Sequence, residues 1–413
     1  PGYEVSTPRG ADVYRDRLAA DFPHEVRGID RFFAALKAFR RAIAAVERAT
    51  GLGSMLRVAP HAPFLPKYLR ASFGDLLDAM VTDPLLRAVL AGQGGDYGLP
   101  PSKASALIGL GVLDHYLGGA YFPVGGSRAV RDAFVQGIEQ RGGVLKRNHA
   151  VEQIVVEGSR VTGVRCKNGE AFQSRVVISN ADATLTYGSL ISNRDLPRSI
   201  RRKTAKTEPS LSSICLFIGT DLDVAEAGMT DANVWHYPSI DIERCYEPMF
   251  RGQMPPQDFF FLSSPSLKDH GTSGKAPPGH HTLELVTLVP FEPFAAWAGM
   301  RTMKRGLGYE ERKAELASRY LGAVEKYVPK IRDHLKVLEV ATPVTNITYA
   351  ASPRGAIYGP AHSPEQIGPF RFPTKGAVEG LFLCGASTLG AGIVPSALSG
   401  QKAGKLAARA IRA

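Results

Sequence analysis

The chain has 413 residues, of which 44% are apolar, so it can bury more than one core and two domains are expected. Lysine and arginine outnumber aspartate and glutamate by 50 to 39, giving a formal net charge of +11. This balance suits an anionic partner, but the basic residues are scattered and no aromatic-interleaved basic tract occurs. We therefore expect weak attraction to anionic lipid and no nucleic-acid partner.

The four cysteines are far apart in the sequence and none belongs to a CxxC pair. Neither a metal site nor a disulfide framework is therefore predicted, and the usage is typical of a reducing compartment. No apolar run approaches the roughly 20 residues that span a bilayer. The sequence favours a cytoplasmic protein. Binding to the surface of a membrane is compatible with this prediction.

The first 118 residues are predicted to be helical. Apolar residues recur at three- and four-residue spacing between Ile29 and Phe39, which predicts a helix within residues 11–50. Further helices, punctuated by proline and glycine, are expected over 51–118. The apolar residues there, including Met55 and Leu56, indicate either an ordinary helical subdomain or an amphipathic surface that touches lipid.

The pattern changes near residue 120. A glycine pair at 125–126 leads into a predicted helix over 127–141, which the glycines at 142–143 end. Hairpin-type turns are expected at 157–159 and 167–170. Downstream, two strands predict an antiparallel sheet, followed by a helix over about 309–328. The predicted strands are 143–146, 151–157, 160–166, 176–179, 213–219 and 282–289.

Residues 380–400 carry the strongest functional signal. A short buried strand at 381–384 is followed by Gly385, which permits close main-chain approach to a ligand. A second glycine turn at 390–392 precedes a helix predicted over about 394–412, with Pro395 near its first position. Free amides at a helix N-terminus can bind a carbonyl or a pyrophosphate. Alone, the pattern fits a ligand site or a plain strand–turn–helix connection equally well.

This segment is similar to the C-terminal flavin motif of the phytoene desaturase, carotenoid isomerase and retinol saturase superfamily, which is related to the flavin amine oxidases. Three further stretches resemble that family in the same order, so the resemblance spans nearly the whole chain. They are YFPVGG at 121–126, VEQI at 151–154 with GV at 163–164 and VISNA at 177–181, and the stretch 342–359 with its SPRGAIYG.

The resemblance implies an α/β fold with a Rossmann-like FAD-binding domain and a substrate domain built on a mixed or antiparallel sheet. The implied boundaries are a helical cap where substrate would enter at 1–118, FAD-binding parts at 119–192 and 346–413, and the substrate domain at 193–345.

The resemblance also implies FAD as the cofactor and a set of positions that would contact it, mostly through the main chain. These are Gly125 and Gly126 near the flavin, Val151 at the adenine, Gly385 and Ala386 along the pyrophosphate and ribityl chain, and Gly392, Ile393 and Val394 at the isoalloxazine.

The implied chemistry is hydride transfer between a substrate carbon and flavin N5, or flavin-assisted isomerisation, on a long apolar isoprenoid or polyene. Arg354 and Tyr358 precede the flavin motif and are the candidate catalytic residues, which could polarise a substrate or orient the ring; a structural turn is the alternative. Another substrate, such as an amine, is a second interpretation, although Tyr349 and Tyr358 form no readable aromatic cage.

The chain departs from the family in one respect, because it contains no GxGxxG motif. In relatives that motif holds the pyrophosphate on the first helix of the fold. We therefore expect an FAD-binding domain that is incomplete at its N-terminus and completed by further sequence or by a second chain. A catalytically silent scaffold or binding subunit is the remaining alternative.

Overall fold

The structure is a computed structural model that describes residues 2–47, 64–255, 258–269 and 275–412. The chain forms two compact units. The first contains Pro1–Tyr121, Val234–Phe261 and His362–Ile367, and the second contains Phe122–Asn233, Leu262–Ala361 and Gly368–Ala413. The predicted lipid-contacting residues Met55 and Leu56 lie outside the described residues.

Helices supply most of the first unit and strands are concentrated in the second. In chain order, the described α-helices are α1 (Ala11–Asp21), α2 (Val26–Glu47), α3 (Phe64–Tyr68), α4 (Phe73–Asp78), α5 (Pro84–Leu90), α6 (Ala106–Leu117), α7 (Gly126–Glu139), α8 (Ala183–Leu185), α9 (Arg198–Lys206), α10 (Ile242–Phe250), α11 (Pro265–Lys268), α12 (Leu307–Val324), α13 (Pro343–Ala350) and α14 (Ile393–Arg412). The strands are β1 (Val151–Glu157), β2 (Arg160–Cys166), β3 (Ala171–Gln173), β4 (Val177–Ser179), β5 (Ser212–Thr220), β6 (Val234–His236), β7 (Phe260–Ser263), β8 (His281–Val289), β9 (Leu335–Ala341) and β10 (Leu381–Leu383).

Three sets of paired strands organise the second unit. β1, β2 and β3 form an antiparallel meander, as the two hairpin turns predicted. β5 pairs in antiparallel fashion with β8 on one side and β9 on the other, which confirms the predicted antiparallel sheet. β10 runs parallel to β4, with Leu381 opposite Val177 and Leu383 opposite Ser179. This parallel pair brings two distant segments of the chain side by side.

One predicted strand is wrong. Residues 143–146 form no strand, and Val144 and Leu145 are 79% and 51% exposed. The N–H of Gly143 donates instead to the carbonyl of Ile138 at the end of α7. A strand needs a neighbour to accept its main-chain hydrogen bonds, and the described residues provide none at this position.

The helical core of the first unit follows the sequence periodicity. Ile29, Phe32, Leu36 and Phe39 on α2 are all at least nine-tenths buried, as their three- and four-residue spacing predicted. Gly109 on α6 permits close helix packing, because an added Cβ would lie well under 3.0 Å from the ring of Phe73.

In the second unit, β10 separates two apolar clusters. Leu381 and Leu383 join one cluster with Ile154 and Tyr187, whereas Phe382 joins another with Ala403 of α14. The two-residue period of a strand explains this alternation. The consequence is that α14 is packed directly against the strand that precedes the glycine turn.

A carboxyl group lies among the aromatic side chains of the first unit. Tyr116 Oη donates to Asp96 Oδ2 at 2.8 Å, yet burial raises the pKa of Asp96 to about 6. An unperturbed aspartate has a pKa near 3.9, so the folded state holds this proton more tightly than the unfolded state. The protonated Asp96 side chain therefore adds to the free energy of unfolding. This contribution is fully present below about pH 4 and is lost as the pH rises to about 6.

Asp96→Asn is expected to raise the free energy of unfolding at pH 7.5 by about 2–3 kcal/mol, because the amide stays neutral at every pH. Urea unfolding between pH 4 and 8 measures this effect. The free energy of unfolding of the wild type should fall between pH 4 and 6, and that of the variant should stay nearly constant there. Asp12→Asn, at an exposed position on α1, is the matched control and should keep the decline. An Asp96→Asn protein with the wild-type pH profile would contradict the assignment.

Candidate cofactor site

The turn after β10 is built around Gly385. Its φ is +84°, and a Cβ at this position would lie well under 3.0 Å from Asn180 Oδ1. Its N–H donates to Ser399 Oγ of α14 at 2.7 Å. Its carbonyl accepts from Thr388 through the N–H at 3.1 Å and through Oγ1 at 2.9 Å. The turn is therefore fixed at both ends and allows only glycine.

The N-terminus of α14 follows the second glycine turn. Gly392 has a φ of +101°, and Ser396 donates the first helical N–H back to the Gly392 carbonyl at 3.1 Å. Pro395 has no N–H, while the N–H groups of Ile393 and Val394 have no acceptor within the described residues. Both side chains are exposed, at 63% and 59%. The arrangement presents free amides and a partial positive charge to an acceptor.

A hydrogen-bond network supports the turn from behind. Asp182 caps α8 by accepting from the Thr184 N–H at 2.7 Å. Its other oxygen accepts from Ser387 Oγ at 3.0 Å, and Ser387 Oγ in turn accepts from the Ala183 N–H at 3.0 Å. The segment after β4 and the segment after β10 are thereby joined.

Arg371 is the group in this region that sequence reasoning missed. Its side chain is 4% exposed and donates to the main-chain carbonyls of Ala386 and of Pro360, the latter at 3.2 Å. Its Nε has no partner within the described residues. Burial lowers its pKa to about 10, with Asp182 acting in the opposite direction. An isolated arginine in a Gly-Pro-Phe-Arg-Phe stretch gives no sequence signal, because its partners are remote.

The predicted residues Gly125 and Gly126 lie in a different turn, at the start of α7. Both have positive φ angles, of +78° and +66°. The Gly125 N–H donates to the two carboxylate oxygens of Asp269 at 3.2 and 3.1 Å. A Cβ on Gly126 would lie well under 3.0 Å from Lys275 Nζ. Asp269 and Lys275 therefore lie against this glycine pair, which the sequence did not indicate.

Lys268 lies one residue before Asp269 and was also missed. Its Nζ donates to Ser263 Oγ at 2.5 Å and to Asn233 Oδ1, and burial lowers its pKa. The same Nζ is 5.8 Å from the centre of the Phe122 ring. A partly desolvated amine thus lies beside the segment that leads to the glycine pair.

The structure places the two candidate catalytic residues in different surroundings. Arg354 is exposed, has a φ of +54°, pairs with Glu292 and lies 5.0 Å from the Phe291 ring centre. The N–H of Tyr358 donates to Ser210 Oγ at 3.0 Å. The next residue, Gly359, is so close to Ala386 that an added Cβ would lie 3.3 Å from the Ala386 Cβ. Only the Tyr358 end of this segment therefore reaches the glycine turn.

The remaining predicted contact, Val151, begins β1 opposite Cys166 and is 36% exposed.

The described residues contain no group of three His, Cys, Asp or Glu side chains placed to hold a metal ion. Among the described helices, none is both long and apolar enough to cross a membrane.

The family model for flavin-containing amine oxidoreductases matches residues 54–412. The chain belongs to this family. Its curated relatives include all-trans-retinol 13,14-reductase of Danio rerio, which is 28% identical over 376 residues, covering 86% of this chain and 61% of the relative. Prolycopene isomerase of Daucus carota is 25% identical over 407 residues, covering 96% and 63%. The flavoprotein chain described here therefore spans about three fifths of the length of these relatives.

Solved structures give the same fold. A putrescine oxidase with bound putrescine aligns with a TM-score of 0.58 at 16% identity, covering 99% of this chain and 78% of that chain. An oxidoreductase from Methanosarcina mazei aligns with a TM-score of 0.57 at 14% identity, covering 81% and 68%. Together these matches confirm the predicted superfamily and fold class, and they confirm a flavin as the cofactor type of the family.

Proposed function

We propose that the chain acts in an FAD-dependent oxidoreductase whose substrate is a long apolar isoprenoid or polyene. The observation that carries this proposal is similarity over 86% and 96% of the chain to enzymes named for retinol and prolycopene, both conjugated polyenes. The amine oxidases share the fold at 15–16% identity, which says nothing about substrate. For location we propose the cytoplasm, because the four cysteines are all free, as is usual in a reducing compartment.

The residues of the β10–α14 turn fit a flavin. The free amides of Ile393 and Val394 suit a ring carbonyl. Gly385 supports this turn from within the protein, because its N–H is bonded to Ser399 and its carbonyl to Thr388. We assign Ala386 and Gly385 to the pyrophosphate and ribityl chain, and Gly392 to the ring. Bound FAD would exchange a hydride with the substrate carbon.

The other assigned positions would lie beside the cofactor or the substrate. The Gly125–Gly126 turn, held by Asp269, would border the flavin, and Val151 would meet the adenine through its main chain. Tyr358 is better placed than Arg354 to orient a substrate, because its neighbour Gly359 abuts Ala386 whereas Arg354 is engaged by Glu292.

A second candidate role rests on the free edge of β4. Within the described residues β4 pairs with β10 alone, and alternate residues of a parallel strand direct their main-chain groups to opposite sides. The N–H and C=O of Ile178 therefore point away from β10, and its side chain is 43% exposed. Such an edge accepts another strand. The chain would then need a strand-bearing segment, from its own polypeptide or a second chain, to complete the nucleotide site.

The two roles are separated by flavin content and turnover. Purified protein supplemented with FAD should be yellow and should release FAD on denaturation. Once its flavin has been reduced by dithionite under anaerobic conditions, it should convert retinol or prolycopene. Turnover of putrescine without polyene turnover would favour the amine alternative. Protein that stays colourless with FAD, and becomes yellow only when a partner segment is added, would support the partner-completed role.

A further inference from the structure

A strip of positive charge covers one helix of the second unit. Residues 194–206 contain six basic residues and one acidic residue, a net charge of +5 out of +11 for the chain. The strip consists of Arg194, Arg198, Arg201, Arg202 and Lys206, all of them exposed. Within the described residues its one contact with a carboxylate joins Arg194 to Asp195 at 4.0 Å.

The orientation of this helix, α9, is fixed from its inner side. Ile200 packs against the apolar cluster that contains Leu381 and Leu383. Lys203 donates to the Arg371 carbonyl at 2.8 Å and lies 4.8 Å from the centre of the Phe372 ring. The basic strip is therefore a preformed surface, held outward by the core beneath it.

Only Lys203 and Lys206, which lie in the last turn of α9, are placed where the helix dipole favours a cation. Positions 198, 201, 202 and 206 are three or four residues apart, so like charges face one another on one side. Arg198 also lies in the first turn, where the helix dipole disfavours a cation, and α9 has no acidic residue. An anionic surface laid against the strip would relieve both effects.

The composition of the strip indicates the type of surface. Four of its five members are arginines, whose guanidinium groups bind phosphate oxygens in a two-pronged manner. No large apolar side chain between 194 and 206 is exposed, so the strip lacks the anchors of a protein interface and the stacking rings of a single-stranded nucleic-acid site. A bilayer offers a plane of phosphates and needs no such anchors.

We propose that α9, together with Arg194, is a docking surface for an anionic phospholipid bilayer. The sequence leaves lipid contact open as one of two interpretations of the apolar stretch within 51–118. The strip on α9 is a different surface, which lies in the second unit and would bind through charge. The proposal is independent of flavin binding and of the substrate.

Vesicle flotation tests the proposal. The protein should float with phosphatidylcholine vesicles that contain about 30% phosphatidylserine at low salt, and not with pure phosphatidylcholine vesicles. Because each basic residue near such a surface changes binding by about fivefold, Arg201→Ala/Arg202→Ala should weaken partitioning by about 30-fold. Raising the salt concentration should weaken wild-type binding towards the level of the variant.

The matched control is Lys402→Ala/Lys405→Ala, which removes the same charge from exposed positions on α14. It should retain partitioning within about threefold, and circular dichroism should show that both variants are folded. Equal losses in the two variants would overturn the proposal, since net charge alone would then explain binding. Failure to bind the anionic vesicles would overturn it as well. Tighter binding to a DNA duplex, lost in the Arg201/Arg202 variant, would assign the surface to nucleic acid instead.

Discussion

Gly385→Ala is expected to lower the free energy of unfolding of the second unit by about 2–4 kcal/mol and to abolish flavin retention. Two costs combine: alanine at a φ of +84° is strained, and its Cβ would lie well under 3.0 Å from Asn180 Oδ1. The Gly385 N–H would then move away from Ser399, disturbing the turn that we assign to the cofactor. Urea unfolding and the flavin absorbance after FAD addition measure the two effects.

A control and a rescue separate these two costs. Gly400→Ala changes a helical glycine of α14 with nothing within 4 Å of the added Cβ, so it should be neutral or raise stability by up to about 1 kcal/mol. Asn180→Ala in the Gly385→Ala background removes the steric conflict and should recover part of the loss, leaving the backbone strain. A Gly385→Ala protein as stable as wild type would show that the turn is not constrained as described.

The strand, glycine turn and helix of residues 381–412 could be predicted because their signals are local. A short apolar run, a glycine, a second glycine turn and a proline mark β10, the turn and α14 within about 20 residues of sequence. The alternation of Leu381, Phe382 and Leu383 between two clusters follows directly from strand geometry. By contrast, residues 143–146 have strand composition but no neighbouring strand, and composition cannot supply one.

The residues missed by the sequence depend on contacts that are distant along the chain. Arg371 reaches Ala386 across 15 positions, and Asp269 reaches Gly125 across 144. The basic residues of α9 looked scattered in the sequence, yet helical geometry puts them on one exposed face. Each of these features is decided by tertiary position, for which a single sequence offers no periodicity or motif.

Arg371→Met is expected to lower the free energy of unfolding by about 2–4 kcal/mol. Methionine fills a similar volume but donates nothing, so the carbonyls of Ala386 and Pro360 would be left in the interior without these donors. Arg371→Lys keeps the charge but has one nitrogen for two carbonyls, so it should recover only part of the loss. Urea unfolding compares the three proteins, and FAD titration reports whether the Ala386 turn has moved.

Arg354→Met provides the comparison that makes this result specific. Arg354 is exposed and forms a surface ion pair with Glu292, so its loss should cost less than about 1 kcal/mol. Asp182→Asn keeps the helix cap but removes a negative charge. In the wild type that charge raises the pKa of Arg371, against the effect of burial. Because the two groups interact electrostatically, the Asp182→Asn/Arg371→Met cycle should show a coupling of about 0.5–2 kcal/mol. Additive effects would contradict the electrostatic coupling of Asp182 and Arg371. An Arg371→Met loss no larger than that of Arg354→Met would mean that Arg371 does not support the turn.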